Sequence, residues 1–219
     1  TLAEDFNTLI TLSRQAFRQS TYKQKVSARK HKSKRRYSDS MQLIELLLEK
    51  HKLLTVIRLD LGLRRNLTLK NAKLRPSADI HACVSRLLNN KKSNSIFKNL
   101  VGYIRKYEYI SELGVYEHII LLFAEDYSPA SYRKKIEQIS RYWEEVITNG
   151  GAGGFCLDCS ISIQPYRRSG TPCVDHANLA ALSIGIEYLA KSAMLLDYSP
   201  RNSKQKVWVT SYQNTKNDA

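Results

Sequence analysis

The sequence has 219 residues, of which 42% are hydrophobic and 25% are charged, so the chain is long enough to bury a full core. Lys and Arg outnumber Asp and Glu by 35 to 20, and the resulting net charge of +15 favours a polyanionic partner such as DNA or RNA. No apolar run approaches the roughly 18 residues of a membrane span, and the basic stretches lack the aromatic and leucine residues of an interfacial helix, so no membrane partner is expected.

The first 52 residues are predicted to form a helical region with a basic arm. Helical spacing of apolar residues predicts a helix over 1–20, and a second helix is expected to begin at Ser38 or Asp39. Between them, residues 14–36 contain ten Lys and Arg and no acidic residue. Like charges at this density repel one another, so this segment is expected to be an exposed, mobile arm. Two functions are open for it, a grip on duplex phosphates and a disordered, cleavable leader.

Residues 53–219 are predicted to form one α+β domain. The elements in chain order are a half-buried strand over 53–63, a helix from Ser77 to about Asn89, strands over 97–110 and 115–124, a helix from Ser128 to about Ile147, a strand over 155–163, a helix from Asn178 to about Ala193 and an edge strand over 206–211. The short turn from Ser111 to Gly114 predicts that the second and third strands form a hairpin. This order favours an antiparallel sheet covered by helices, a ferredoxin-like layer.

Two short stretches carry residues suited to chemistry. In the segment Gly114-Val115-Tyr116-Glu117-His118, the side chains of Tyr116 and His118 point to the same face of a strand, and Glu108 is expected to face them from the preceding strand. In the segment Tyr188-Leu189-Ala190-Lys191, the i, i+3 spacing places the phenol of Tyr188 and the ammonium of Lys191 on one helix surface.

The order of elements and these motifs resemble the HUH endonuclease superfamily. The sequence looks closest to the prophage YagK/YfjJ C-terminal domain family and to the rolling-circle replication initiators of inoviruses. The resemblance covers roughly residues 53–212. It includes the strands TVIRLDL, KYEYI and GVYEHIILLF, the helix that contains Trp143, the Gly-rich turn into GFCLDCS, and YLAK.

The resemblance implies a single-strand DNA nickase and strand transferase from a phage, prophage or related mobile element. Tyr188 would attack the scissile phosphate and form a 5′-phosphotyrosine, with Lys191 stabilising the phosphate or the phenolate. His118 and Glu108 would hold Mg²⁺ or Mn²⁺. The substrate would be a single-stranded or hairpin origin whose flanking duplex meets the basic side chains Arg29, Lys30, Lys32, Lys34, Arg35, Arg36 and Arg58.

The sequence departs from the family at the first histidine of the metal pair, where Tyr116 stands. A neutral phenol is a poor ligand for Mg²⁺ or Mn²⁺. His118 and Glu108 would hold a metal weakly if the DNA phosphate supplies more oxygens; otherwise His81, His176 or Asp60 would have to complete the site, and spacing does not choose among them. Two other functions therefore stay open. One is a catalytically weakened DNA-binding regulator on the same fold, and the other is an RNA-binding ferredoxin-like module.

The four cysteines are too few for a disulfide scaffold, which makes a reducing cytoplasm the default location. Cys156, Cys159, Cys173 and His176 have the residue types of a structural zinc site. However, Cys156 and Cys159 fall in one predicted strand, where residues three apart point to opposite faces. The favoured interpretation of these cysteines is therefore buried small hydrophobic residues.

Overall fold

The computed structural model describes residues 2–63, 77–110, 114–148, 154–161, 173–192 and 208–212. Its helices are α1 (Leu2–Arg18), α2 (Ser20–His51), α3 (Ser77–Asn89), α4 (Pro129–Arg141) and α5 (Leu179–Ser192). Its strands are β1 (Leu54–Leu63), β2 (Leu100–Ile110), β3 (Gly114–Phe123), β4 (Gly154–Asp158), β5 (Cys173–Val174) and β6 (Trp208–Tyr212). The predicted turn over 111–113, the glycines at 150, 151 and 153, and residues 162–163 and 206–207 of two predicted strands lie outside the described residues.

One antiparallel sheet organises the described part of the chain. Its strand order is β4-β1-β3-β2-β6, and the short β5 pairs with the start of β1. The predicted hairpin of β2 and β3 is confirmed, as is the pairing of β6 at the edge of the sheet. The protein is thus an α+β fold with a helical N-terminal region.

Helices cover both faces of the sheet. On one face, α3, α4 and the π-helical turn Tyr142–Ile147 pack on apolar residues of the central strands, and Trp143 is fully buried there. On the other face, the C-terminal half of α2 and helix α5 enclose a second core that includes Ile44, Ile120 and Ile186. The prediction that β1 is half-buried is therefore wrong, because every residue of β1 is buried, including Arg58 and Asp60.

The basic segment is largely exposed, as predicted, but it is helical and does not separate two helices. A single residue, Gln19, separates α1 from α2, and α2 then continues without interruption through the basic segment and past the expected start at Ser38 or Asp39. Helical spacing divides the segment into two faces. The inward face, which continues to the apolar core, carries Ser33, Arg36 and Ser40. The intervening basic side chains are exposed to solvent, which screens their mutual repulsion. Helix α1 has no buried residue.

Gly62 in β1 is required by a close approach of an aromatic ring. A Cβ at this position would lie 2.2 Å from Cζ of Phe155, which is opposite Gly62 on β4. The carbonyl oxygen of Gly62 also accepts a hydrogen bond of 3.3 Å from Nε1 of the buried Trp143. The ring of Phe155 therefore lies against bare backbone.

We expect Gly62→Ala to lower the free energy of unfolding by about 1–3 kcal/mol, since the buried Phe155 ring must move out of its packed position. Urea unfolding measures the effect. Gly102→Ala is the matched control, because the nearest atom to its new Cβ, at 2.8 Å, would be the end of the Leu47 side chain, and the next atoms lie 3.4 Å away or farther. Phe155→Leu should recover part of the loss in the Gly62→Ala background; equal costs at the two glycines, or no recovery, would contradict the packing argument.

Candidate functional site

Five polar residues lie together on the three central strands of the sheet, on the face that α2 and α5 cover. Strand register places His118 of β3 between Asp60 of β1 and Lys106 of β2. One step along the strands, Tyr116 lies opposite Glu108. We call these five residues the central polar cluster. All of them except Glu108 are buried, which is an unusual concentration of polar groups in the middle of an apolar sheet.

His118 has two different environments on its two ring nitrogens. Its Nδ1 lies 2.6 Å from Oδ1 of Asp60 and 3.7 Å from Sγ of Cys159. Its Nε2 is buried and has no hydrogen-bond partner among the described residues. When a carboxylate accepts the Nδ1 proton of a histidine, the lone pair of Nε2 is fixed in direction and becomes available to a metal ion or a proton.

Asp60, His118 and Cys159 form the group of potential metal ligands that the described residues contain. One donor atom from each lies within 4.8 Å of the others, and all three residues are buried. Asp60 was one of three residues left open to complete the site by sequence. The other two lie elsewhere, since His81 contacts Arg105 on the opposite face of the sheet and His176 is exposed.

Glu108, the predicted second metal ligand, is already held by two neighbours. It accepts hydrogen bonds from the ammonium of Lys106 and from the hydroxyl of Tyr116. Burial alone would raise the pKa of Glu108, but the charges of Lys106 and His118, together with these hydrogen bonds, outweigh burial and hold the pKa below its ordinary value. An ammonium group beside the carboxylate opposes a cation at the same place, so His118 and Glu108 alone fit Mg²⁺ or Mn²⁺ poorly.

Lys106 links the central polar cluster to the basic helix. Burial lowers the pKa of Lys106 below 10.5; the charge and hydrogen bond of Glu108 oppose this shift, and the charge of Arg36 adds to it. Arg36 is thus close enough to act on the cluster, although it was predicted as an exposed DNA contact. Arg36 and Arg58 are both buried, whereas the other predicted contacts are exposed on α2, namely Arg29, Lys30, Lys32, Lys34 and Arg35.

Tyr188 and Lys191 share one surface of α5, as their spacing predicts, but this surface faces away from the second core. Leu182, Ile186 and Leu189 pack into that core, while the side chain of Tyr188 is 37% exposed. The ammonium of Lys191 lies 2.5 Å from the carboxylate of Glu187, and both side chains are at least half exposed. The structure therefore brings Tyr188 to the protein surface, and Lys191 pairs with an acid of its own helix.

The cysteines occupy separate environments. Cys156 packs against the core under α3 and α4, and burial raises the pKa of its thiol to about 12. Cys173 donates a weak hydrogen bond of 3.5 Å to Asp126 near the start of β1. Cys159 lies in the 3-10 turn Cys159–Ile161 rather than in the predicted strand, and this turn directs its sulfur towards His118. Sequence reasoning considered Cys159 only with Cys156, Cys173 and His176, and it missed the contact with His118 because it placed Cys159 in the strand.

The chain matches no protein-family model, and no curated protein or solved structure is significantly similar to it. None of the helices in the described ranges has the length and apolar character that a membrane crossing requires.

Proposed function

We propose that the protein is a metal-dependent single-strand DNA nickase and strand transferase of the HUH replication-initiator type. The observation that carries this proposal is His118 itself. It stands on a central strand of an antiparallel sheet, its Nδ1 lies beside the carboxylate of Asp60 and the thiol of Cys159, and its buried Nε2 has no hydrogen-bond partner among the described residues. A histidine that only filled the core would be expected to satisfy both nitrogens.

The strand order supports the same proposal. The sequence β1-α3-β2-β3-α4-β4, with the spatial order β4-β1-β3-β2, fits a ferredoxin-like layer of the kind that the resemblance to HUH nucleases implies. In this arrangement β1 and β3 are neighbours at the centre, which is why Asp60 and His118 meet although they are far apart in the chain.

In the proposed reaction, the phenolic oxygen of Tyr188 attacks the scissile phosphorus. A new O–P bond joins the tyrosine to the 5′ side of the break, the bond from phosphorus to the 3′ oxygen breaks, and the phenolic proton ends on the released 3′-hydroxyl. A divalent metal at His118 would supply positive charge to the phosphate oxygens. Tyr188 suits this role better than Tyr116, because DNA can reach a phenol that is 37% exposed and not one that is 1% exposed.

The exposed basic side chains of α2 are proposed to hold the DNA. They lie on the helix whose Arg36 acts on the central polar cluster, so phosphates bound along α2 would lead towards the site. Contacts of this kind raise affinity and set the register of the nucleic acid without reading its sequence.

The test is a search for a covalent protein–DNA adduct. The protein is incubated with a labelled library of single-stranded and hairpin oligonucleotides and with Mg²⁺, Mn²⁺ or Zn²⁺ in turn, and the products are separated under denaturing conditions. We expect an adduct that Tyr188→Phe abolishes. Tyr22→Phe is the matched control, since Tyr22 is 39% exposed on the basic helix and should leave the adduct unchanged.

A DNA-binding regulator without nickase activity is the second candidate. The pairing of Lys191 with Glu187 favours it, because Lys191, the cation predicted to assist Tyr188, already has an acidic partner. This candidate predicts DNA binding that weakens steeply with salt, with no adduct under any of the three metals. A preference for RNA at equal salt would instead favour an RNA-binding module.

A further inference from the structure

Cys159 adds a sulfur donor to the candidate site, which the resemblance to HUH nucleases does not imply. β4 ends at Asp158, and the chain then enters the turn that places the Cys159 sulfur 3.7 Å from Nδ1 of His118. The side chain is 2% exposed, on the same side as the central polar cluster. A thiol at this place is a third donor beside an imidazole and a carboxylate.

We propose that Cys159 is a metal ligand and that Asp60, Cys159 and Nδ1 of His118 together select Zn²⁺ over Mg²⁺, with the imidazole proton on Nε2 when the ion is bound. The inference deepens the proposed function by naming the metal of that site, but metal binding itself does not depend on nickase activity. Thiolate is a soft ligand that suits Zn²⁺, whereas Mg²⁺ requires near-octahedral oxygen ligands and keeps several waters.

The distances between the donors agree with this assignment. In tetrahedral zinc sites with bonds of about 2.3 Å to sulfur and 2.05 Å to nitrogen, the two ligand atoms lie about 3.6 Å apart. The separation here is 3.7 Å. The Asp60 oxygen and the His118 nitrogen are 2.6 Å apart, which is a hydrogen bond, and they must separate to about 3.3 Å to share one ion.

The charges of the three ligands also fit a divalent ion, and the ammonium of Lys106, opposite His118 on β2, is paired with Glu108. A carboxylate, a thiolate and a neutral imidazole carry two negative charges, which the ion neutralises inside a buried site. Three protein ligands leave a fourth position for water, as in catalytic rather than structural zinc sites. Since the thiol and Nδ1 must lose their protons, affinity should rise with pH.

The test is a titration of the chelator-treated, full-length protein with Co²⁺, whose thiolate complexes absorb in the near ultraviolet. We expect a charge-transfer band that Cys159→Ser removes and Asp60→Asn weakens. Cys156→Ser is the matched control, because its sulfur packs against the opposite core and the band should persist. Zn²⁺ should displace Co²⁺ at equal concentration, whereas about a thousandfold excess of Mg²⁺ should not.

Several outcomes separate this inference from the proposed function. A Co²⁺ band that survives Cys159→Ser, no band at all, or displacement by Mg²⁺ would overturn the zinc assignment, and circular dichroism confirms that each variant is folded. A Cys159-dependent band without any covalent DNA adduct would support the metal site and count against the nickase. An adduct formed with Mg²⁺, without any thiolate band, would support the nickase and count against the zinc site.

Discussion

Arg105→Met should lower the free energy of unfolding by about 3–5 kcal/mol, because it leaves the Glu117 carboxylate buried without its cation. The two side chains form a two-point ion pair on the face of the sheet under α3. Nε of Arg105 lies 2.6 Å from one carboxylate oxygen of Glu117, and Nη2 lies 2.5 Å from the other. Both side chains are buried, so solvent cannot take the place of either partner.

The measurement is urea unfolding followed by circular dichroism. The slope of the unfolding free energy against urea concentration is compared between variants, to confirm that unfolding exposes the same surface area in each. The double variant Arg105→Met/Glu117→Leu removes both charges and should recover most of the loss. Arg35→Met is the matched control, because the pair between Arg35 and Asp39 is 3.7 Å long and exposed, and its loss should change stability little. A double variant as unstable as Arg105→Met would show that packing, not the uncompensated charge, causes the loss.

Periodicity predicted the sheet well and the basic helix badly. The strands β1, β2 and β3 were located from apolar residues that alternate along the chain and from turn-forming residues at the strand ends. The same reasoning treated Arg58 and Asp60 as solvent-facing and missed that helices cover both faces of β1. For α2, the prediction gave more weight to repulsion between the basic residues than to helical spacing, and so it placed a break where the helix is continuous. The inward positions of Ser33, Arg36 and Ser40 show that only the exposed side of the helix carries the dense charge.

Sequence could predict only those residues of the candidate site that stand out within a single strand, as a polar residue among apolar ones. His118 was identified because a histidine interrupts an apolar strand, and its partner Asp60 does the same in β1. Their contact depends on which strands are neighbours, which local spacing does not specify. The contact of Cys159 with His118 depends on a turn that begins directly after β4 ends, and the sequence pattern predicted a continuous strand there.

The direction of Tyr188 could have been predicted from α5 alone. Its apolar residues Leu182, Ile186 and Leu189 mark the face that packs on the sheet, and Tyr188 lies on the other side. The i, i+3 spacing of Tyr188 and Lys191 shows that they share a surface, but it contains no information about which surface meets the core.

Under the proposed function, His118→Ala should abolish formation of the DNA adduct, with a loss of at least about 100-fold, while DNA binding at fixed salt stays unchanged. Asp60→Asn should reduce adduct formation about 10–100-fold, since the carboxylate beside the metal-binding histidine contributes to the affinity of the site for the ion. Initial rates of adduct formation and DNA affinities, measured on the same preparations, test both expectations.

His176→Ala is the control for this comparison, because His176 was an alternative ligand by sequence and is exposed away from the cluster. It should retain the full rate. If His118→Ala also retained the full rate, His118 would be a core residue whose Nε2 has no role in the reaction. If adduct formation and DNA affinity fell together, the cluster would be required for binding DNA rather than for breaking it. Only a loss of rate at constant affinity assigns His118 to the chemical step.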